Sequence, residues 1–290
     1  MLKKLLIIIV FISVSANSFA QTVYDNLSVS LGNLFYITDQ VMGSNRYYEY
    51  IPNGNPLFGG RVAPSGSMLM TMHMEANVQH VIMAATDRDG EVDLIVYQGS
   101  GTDGTIIDRN KFRLKGALVR FNVPVSGTYT VELINPSRET AFITMLALRV
   151  RVNQVFTLNP LLGALDNLKL VFHKRGGQSL NVAAGAFSLF GSVVSRGNST
   201  GFTGELPSGR YELLAAGSSA TSNVEAQVFQ LDDPGSRPPS RTHSTNSGQN
   251  IREDYAVFPA NESKTYLFRI NNKNPPNNQA FIIGLIVIKP

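Results

Sequence analysis

The sequence predicts an all-β protein made of two tandem, duplicated antiparallel β-sandwich domains behind a cleaved signal peptide. Three observations carry that expectation. The phrase AFITMLALRV at 141–150 returns as AFIIGLIVIK at 280–289, and each copy is preceded by a second shared phrase, SGTYTVELIN at 126–135 and SKTYLFRINN at 263–272. Most of the chain between these phrases consists of short runs rich in Val, Ile, Tyr and Phe, separated by Pro-Asn-Gly, Pro-Ser-Gly, Asp-Gly and Ser-Gly turns, the signature of strands joined by tight connections. Charged residues are 16% of the chain against 43% hydrophobic, with 25 Gly and 14 Pro, a composition that suits turn-rich β structure around buried cores.

Lys3 and Lys4, the apolar run Leu5 to Val14 and the small-residue stretch ending Ser18-Phe19-Ala20 have the order of a secretory signal, with cleavage expected before Gln21. The apolar run is about half of the roughly 20 residues that an uncleaved membrane anchor needs. No Cys is present, so neither a disulfide nor an N-terminal lipid on Cys is available. Loss of residues 1–20 removes two Lys and no acid, which lowers the formal charge from +4 to +2. A balance this near neutral attracts neither nucleic acid nor anionic lipid. The expected location is secreted or periplasmic, with no transmembrane segment in the mature chain.

The domains expected are an N-terminal segment 21–45, a first sandwich 46–152, a connector 153–167 and a second sandwich 168–290. Residues 22–41 place Val23, Leu27, Leu31, Leu34 and Val41 on one helical face, yet their Val, Ile, Thr and Tyr content fits a strand equally well. The first sandwich then reads RYYEYI, SMLMTMHM, HVIMAA, VDLIVY, LVRFNV, TYTVELI and AFITMLALRV. In SMLMTMHM, Met68, Met70, Met72 and Met74 alternate with Leu69, Thr71 and His73, the period of a half-buried strand. The second reads LKLVFH from Leu168, SLNVAAG, AFSLFGSVV, RYELLAAG, VEAQVFQ, DYAVF, TYLFRIN and AFIIGLIVI. Further ordered matches pair GGRVAPSG (59–66) with GGQSLNVAAG (176–185), VDLIVYQ with VEAQVFQ and FNVP with AVFP. LIVY, AFITML and FIIGLIVI are nearly continuous apolar runs, as for central strands covered on both faces. The extra length of the second unit lies in 231–252, where Pro238 and Pro239 exclude a central strand. That stretch is either a binding loop carrying Arg237, Arg241 and Arg252 or a surface loop with no partner.

At Asp93-Leu94-Ile95-Val96-Tyr97 and Gly127-Thr128-Tyr129-Thr130-Val131 the first unit resembles the bacterial pre-peptidase C-terminal (PPC) domain family, small β-sandwiches attached to secreted enzymes. The second unit departs from that pattern at Glu225 and at Lys264-Thr265-Tyr266. The resemblance implies a non-catalytic accessory module, although no catalytic domain accompanies it here.

Asp87, Asp89, Glu91 and Asp93 alternate around Gly90. Calcium takes six to eight oxygens, and carboxylates two apart converge on one ion where Gly permits the turn. The competing reading is a plain Asp-Gly turn between two strands. Gly197-Asn198-Ser199-Thr200-Gly201 matches the Gly-x-Ser-x-Gly nucleophile pattern, but the following FTGELPSG cannot supply the helix that mechanism needs. His73, His80, His173 and His243 lack metal-ligand spacing, and no phosphate loop or dinucleotide fingerprint occurs. Tyr47, Tyr48 and Tyr50 form the densest aromatic cluster; such rings either stack on sugars or cover a sheet edge. Strands with sustained apolar-out, polar-in alternation, as in an outer-membrane barrel, are missing. The expected function is that of an exported non-catalytic binding or structural module engaging a surface polysaccharide or another exported protein, with no cofactor unless calcium stiffens the Asp87–Asp93 turn. The alternative is a secreted hydrolase or an accessory subunit of one.

Overall fold

The structure is a computed structural model that describes residues 23–42, 47–52, 54–88, 91–111, 116–151, 155–177, 180–182, 185–218, 223–231, 241–242, 253–261, 264–273 and 279–289. The expected signal sequence lies outside these residues. The chain runs α1 (Val23–Met42), β1 (Tyr48–Tyr50), β2 (Leu57–Val62), β3 (Ser67–Met74), β4 (Gln79–Thr86), β5 (Asp93–Gln98), β6 (Ile106–Lys111), β7 (Gly116–Asn122), β8 (Gly127–Ile134) and β9 (Ala141–Val150). It continues with α2 (Asn159–Lys174), β10 (Asn181–Val182), β11 (Gly185–Val194), β12 (Ser199–Glu205), β13 (Gly209–Gly217), β14 (Val224–Leu231), β15 (Arg241–Thr242), β16 (Glu253–Ala260), β17 (Thr265–Asn272) and β18 (Ala280–Lys289).

The strand order of the largest sheet is a palindrome. It reads β16-β13-β18-β11-β2-β9-β4-β7, with β1 added to β9 and β10 added to β18. Two four-stranded sheets, β3-β8-β5-β6 and β12-β17-β14-β15, complete the β structure. Each strand of the first half has its counterpart in the second, and the halves join where β2 pairs antiparallel with β11. There Phe58 faces Phe190, Leu57 faces Gly191 and Gly59 faces Leu189, so a local two-fold axis passes through the Phe58–Phe190 pair. All-β antiparallel architecture is therefore what the chain adopts, and one sheet runs through both halves.

That sheet is covered on both faces. Along β9, Ile143, Met145 and Ala147 join a core shared with both small sheets, while Phe142, Leu146 and Leu148 join a second core under the helices. β18 divides in the same way, with Ile282 and Ile286 on one side and Phe281, Ile283, Leu285 and Val287 on the other. The unbroken apolar runs of the closing strands follow from this double burial. β5 differs from expectation, because Ile95 is only half-buried between Leu94 and Val96. β5 belongs to a small sheet, so one face of LIVY meets the core and the other meets the surface.

Residues 22–41, which fit two readings, form α1 and bury Leu27, Leu31 and Leu34 against the sheet. LKLVFH is helical rather than a strand, which corrects the expectation for the start of the second unit and places part of the 153–167 connector in the same helix. Pro160 stands in the first turn, and Leu161, Ala164, Leu168, Val171 and Phe172 share one buried face. A six-residue apolar window holds fewer than two helical turns, so the 3.6-residue period emerges only over the whole segment. The partner of GGRVAPSG is also corrected. β2 (LFGGRV) stands opposite Leu189-Phe190-Gly191-Ser192-Val193-Val194 about the two-fold axis, not opposite GGQSLNVAAG.

Side-chain bonds at equivalent places tie each half together. Asn135 is buried, and its Nδ2 donates to the Val62 carbonyl at 2.9 Å; Asn272, in the same position of the second half, donates to the Val194 carbonyl at 2.7 Å. Asn33 on α1 donates to the Thr86 carbonyl, and Asn167 on α2 donates to the Gly217 carbonyl, both at 2.8 Å. At the end of α2 the guanidinium of Arg175 grips the fully buried Glu212 through two 2.8 Å bonds and lies 3.8 Å over the Tyr255 ring. Loss of the Arg175 guanidinium would strip the fully buried Glu212 of two charge-assisted bonds, each worth about 1.5–3 kcal/mol.

Candidate functional site

β2 begins at Leu57, level with Leu146 of β9 and Gly191 of β11, while both neighbours run on past it. The chain leaves the sheet through residues 51–56, and a cleft of about 960 Å³ opens between the two halves. The first half contributes Glu49, Tyr50, Asn55, Arg149 and Arg151, and the second contributes the end of β11, the start of β12 and Gln279. Hydroxyl, amide, guanidinium and peptide groups dominate the lining.

The charged side of the cleft is an alternating chain. Glu49 and Arg149 are cross-strand partners on β1 and β9, which brings their side chains to one face of the sheet. Arg149 Nε donates to Glu49 Oε1 at 2.5 Å, and its Nη1 lies 2.6 Å from Glu75 Oε2. Arg151 Nη1 donates to both oxygens of Glu49, at 2.8 and 3.1 Å. Glu49 and Arg149 side chains are each 13% exposed, Glu75 is 50% and Arg151 57% exposed, so the network is buried in its middle and open at both ends, with the Arg151 guanidinium at the cleft. Beside Arg149 on β4, His80 is buried, stacks on Phe121 at 5.9 Å and has no partner for Nδ1 among the described residues. Burial lowers its pKa and Arg149 acts in the same direction, opposed by a contact with the Val78 backbone and by the Glu75 charge.

The facing wall is the Gly-Asn-Ser-Thr-Gly stretch. Gly197 adopts φ +74°, and its N–H donates to the Asn272 carbonyl at 2.8 Å. Asn272 in turn donates to the Asn198 carbonyl at 2.9 Å. This buried asparagine thereby holds the turn, and β12 leaves it as a strand, as the missing helix signal predicts. Among the described residues no hydrogen bond joins Ser199 to a histidine, so no base stands ready to activate it as a nucleophile. A Cβ at Gly201 would stand 2.0 Å from the Phe268 carbonyl oxygen, so glycine lets β12 close on β17. On the free edge of β12, Asn55 Nδ2 donates to the Gly201 carbonyl at 3.0 Å and its Oδ1 accepts from the Thr200 side chain Oγ1 at 2.5 Å.

The aromatic cluster divides. Tyr48 is buried under the helices and accepts from Arg120 Nη2 at 3.2 Å. Tyr50 packs on the same side, 4.9 Å from the rings of both Phe156 and Phe281, and burial raises its pKa. Tyr47 alone stays open, 49% exposed, with its carbonyl accepting the Arg151 N–H at 2.9 Å beside the cleft. Arg237 and Arg252 lie outside the described residues; Arg241 lies on β15, at the edge of its sheet.

Asp87 is engaged by the fold. Its N–H donates to the Phe142 carbonyl at 3.1 Å, and its Oδ1 accepts from the Phe142 N–H at 2.7 Å. Ser218 does the same to Phe281, at 2.9 Å through its N–H and 3.0 Å through Oγ. Both side chains prolong the ladder beside the closing strand. Burial pushes the Asp87 carboxyl upward in pKa, opposed by the Phe142 N–H and by Arg88. Glu91 is exposed, Asp93 opens β5, and Asp89 lies outside the described residues. Among the described residues no three His, Asp or Glu side chains form a metal-sized group, and no helix is long and apolar enough to cross a membrane.

Asn55, Arg149 and Arg151 carry no sequence motif of their own. The signal for the two arginines is a comparison between the halves: Arg149 stands where the second closing phrase has Ile288, and Glu49 stands where β10 has Asn181.

No family model matches the chain, and no curated protein matches it. Among solved structures it is similar to the tandem CBM22-1-CBM22-2 domain of Paenibacillus barcinonensis Xyn10C, at 9% identity over 85% of this chain and 95% of that one, with a TM-score of 0.22. It is also similar to the PBSX exported protein XepA, at 12% identity over 82% and 88% of the two chains, TM-score 0.27. A third similarity is to vicilin from Solanum lycopersicum, at 13% identity over 88% and 78%, TM-score 0.20.

Proposed function

We propose that the protein is an exported, non-catalytic binding module and that the cleft between its halves is where it engages a cell-surface polysaccharide. The observation that carries this reading is the cleft itself, a volume of about 960 Å³ with walls from both halves and a mainly polar lining. Its one lining carboxylate, Glu49, is held by two arginines, an arrangement suited to holding a ligand rather than to proton transfer. Tyr47, whose backbone bonds to Arg151, supplies an exposed ring on which a sugar face could stack. The resemblance to the PPC family accords with an accessory module of this kind.

The test is depletion of the chain lacking its first twenty residues from solution by insoluble cell-wall and polysaccharide fractions. One polymer should deplete the protein saturably, and Ser199→Trp, which fills the cleft, should weaken retention by about tenfold or more. Tyr47→Ala should weaken it without moving the melting temperature. Undiminished retention by the Ser199→Trp variant would place binding elsewhere on the surface. If no fraction depletes the protein, the polymer reading fails and another exported protein becomes the partner to seek by pull-down.

A further inference from the structure

We infer that the cleft selects a carboxylate-bearing sugar chain, a polyuronate, and that Arg151 is the residue that reads the carboxylate. The inference rests on the binding reading above and concerns which polymer the cleft takes.

Arg151 ends the chain Glu75–Arg149–Glu49–Arg151 at the open side. Its Nη1 is fixed by Glu49, whereas Nε and Nη2 have no partner among the described residues. Glu49 is shared with Arg149, which has Glu75 as well. Arg151 is therefore the less neutralised of the two cations, and it is held from behind with free N–H groups facing the cleft. A planar guanidinium in that state suits a carboxylate, which it grips through two parallel bonds.

The opposite wall favours a sugar over the other common acidic ligand, an extended peptide. Peptides add to a sheet by pairing with a free edge, and at the cleft Asn55 already occupies the Gly201 carbonyl on the edge of β12. What that wall offers is hydroxyl and amide groups of Asn198, Ser199 and Gln279, which match ring hydroxyls. The two-fold axis gives a further constraint. At the other end of the seam, Asn181 and Ile288 replace Glu49 and Arg149. Among the described residues the Glu49–Arg149 pair is therefore not repeated at the equivalent end.

The experiment measures binding of the full mature chain to polygalacturonate, to the same polymer with its carboxyls reduced to alcohols, and to poly-glutamate. Polygalacturonate should bind, and carboxyl reduction should weaken binding by about tenfold or more, as loss of a charge-assisted pair does. Arg151→Ala should lose as much. Arg151→Lys should recover little, because an ammonium lacks the planar fork. Ser199→Trp, which leaves the charges in place, should also abolish binding, and the variants' melting temperatures separate these losses from misfolding. Equal binding of the reduced polymer, unaffected by Arg151→Ala, would overturn the acidic specificity and leave polymer binding standing. Preference for poly-glutamate would overturn the assignment to sugars. Failure of every polymer to bind the parent protein would overturn both readings.

Discussion

Asp254 gives a stability prediction with a definite sign. The residue lies on β16, an edge strand of the large sheet, and is 2% exposed. Its Oδ2 accepts from the Ala226 N–H at 2.8 Å, while Oδ1 has no partner among the described residues. Burial pushes its pKa up from 3.8 to about 6; the N–H groups of Ala226 and Tyr255 and the charge of Lys273 pull it down, and Glu225 pushes it up. The folded state therefore holds the proton more tightly than the unfolded chain. The stability this confers is fully present below about pH 4 and is lost as pH rises through about 6. Two units correspond to a ceiling of about 3 kcal/mol. A position on an edge strand, with the charges of Glu225 and Lys273 nearby, reduces the expected effect to about 1–2 kcal/mol. Asp254→Asn removes the titration and keeps an acceptor for Ala226. Urea unfolding of parent and variant at several pH values between about 4.5 and 7.5 isolates this group, because all others titrate in both proteins. The variant should gain on the parent by about 1–2 kcal/mol across that interval. A stability difference independent of pH, or one that moves against the variant as pH rises, would refute the account of Asp254.

Phe281→Asp places a charge in the core beneath the helices, where the native ring lies 4.9 Å from Tyr50 of the other half; a loss of more than about 4 kcal/mol is expected, with both halves melting together. A surviving transition from an intact first half would refute the shared core. Asp87→Ala should cost about 1–3 kcal/mol by orphaning the Phe142 N–H, and Asp87→Ser should cost less, because Ser218 performs the same task in the second half. Calcium is tested on the parent: a rise in melting temperature that Asp93→Asn abolishes would place the ion at the Asp87–Asp93 turn, and no rise would end that reading. Asn272→Ala should cost about 1–3 kcal/mol and weaken polymer retention, since its side chain ties β17 to β11 beside the Gly197–Asn198 turn; unchanged retention would separate the turn from the site.

The strands were legible wherever a local pattern is enough. Alternation in SMLMTMHM marked β3, with Met68, Met72 and Met74 buried and Leu69, Thr71 and His73 exposed, and the turn at Gly197 followed from the residues after Ser199. What local patterns cannot show is pairing between distant strands. The seam joining β2 to β11 brings residues more than a hundred positions apart into register, and its only sequence trace is the shared Leu-Phe-Gly of 57–59 and 189–191. Matching the Gly-Gly pairs instead obscured it. The cleft was missed for the same reason, since it exists only once the seam has formed.

The two-fold axis also separates what builds the protein from what distinguishes its two ends. Asn135 and Asn272, Asp87 and Ser218, Asn33 and Asn167, and the buried rings of Tyr129 and Tyr266 recur with the same task in both halves. A scaffold requires such bonds twice, because each half has the same strand ends and the same buried peptide groups to satisfy. Glu49 and Arg149 have no ionic counterparts, being replaced by Asn181 and Ile288. The sheet does not need this ion pair to form, because β10 and β18 pair without it. The Glu49–Arg149 pair is therefore a property of one end of the duplicated scaffold and not a requirement of the sheet.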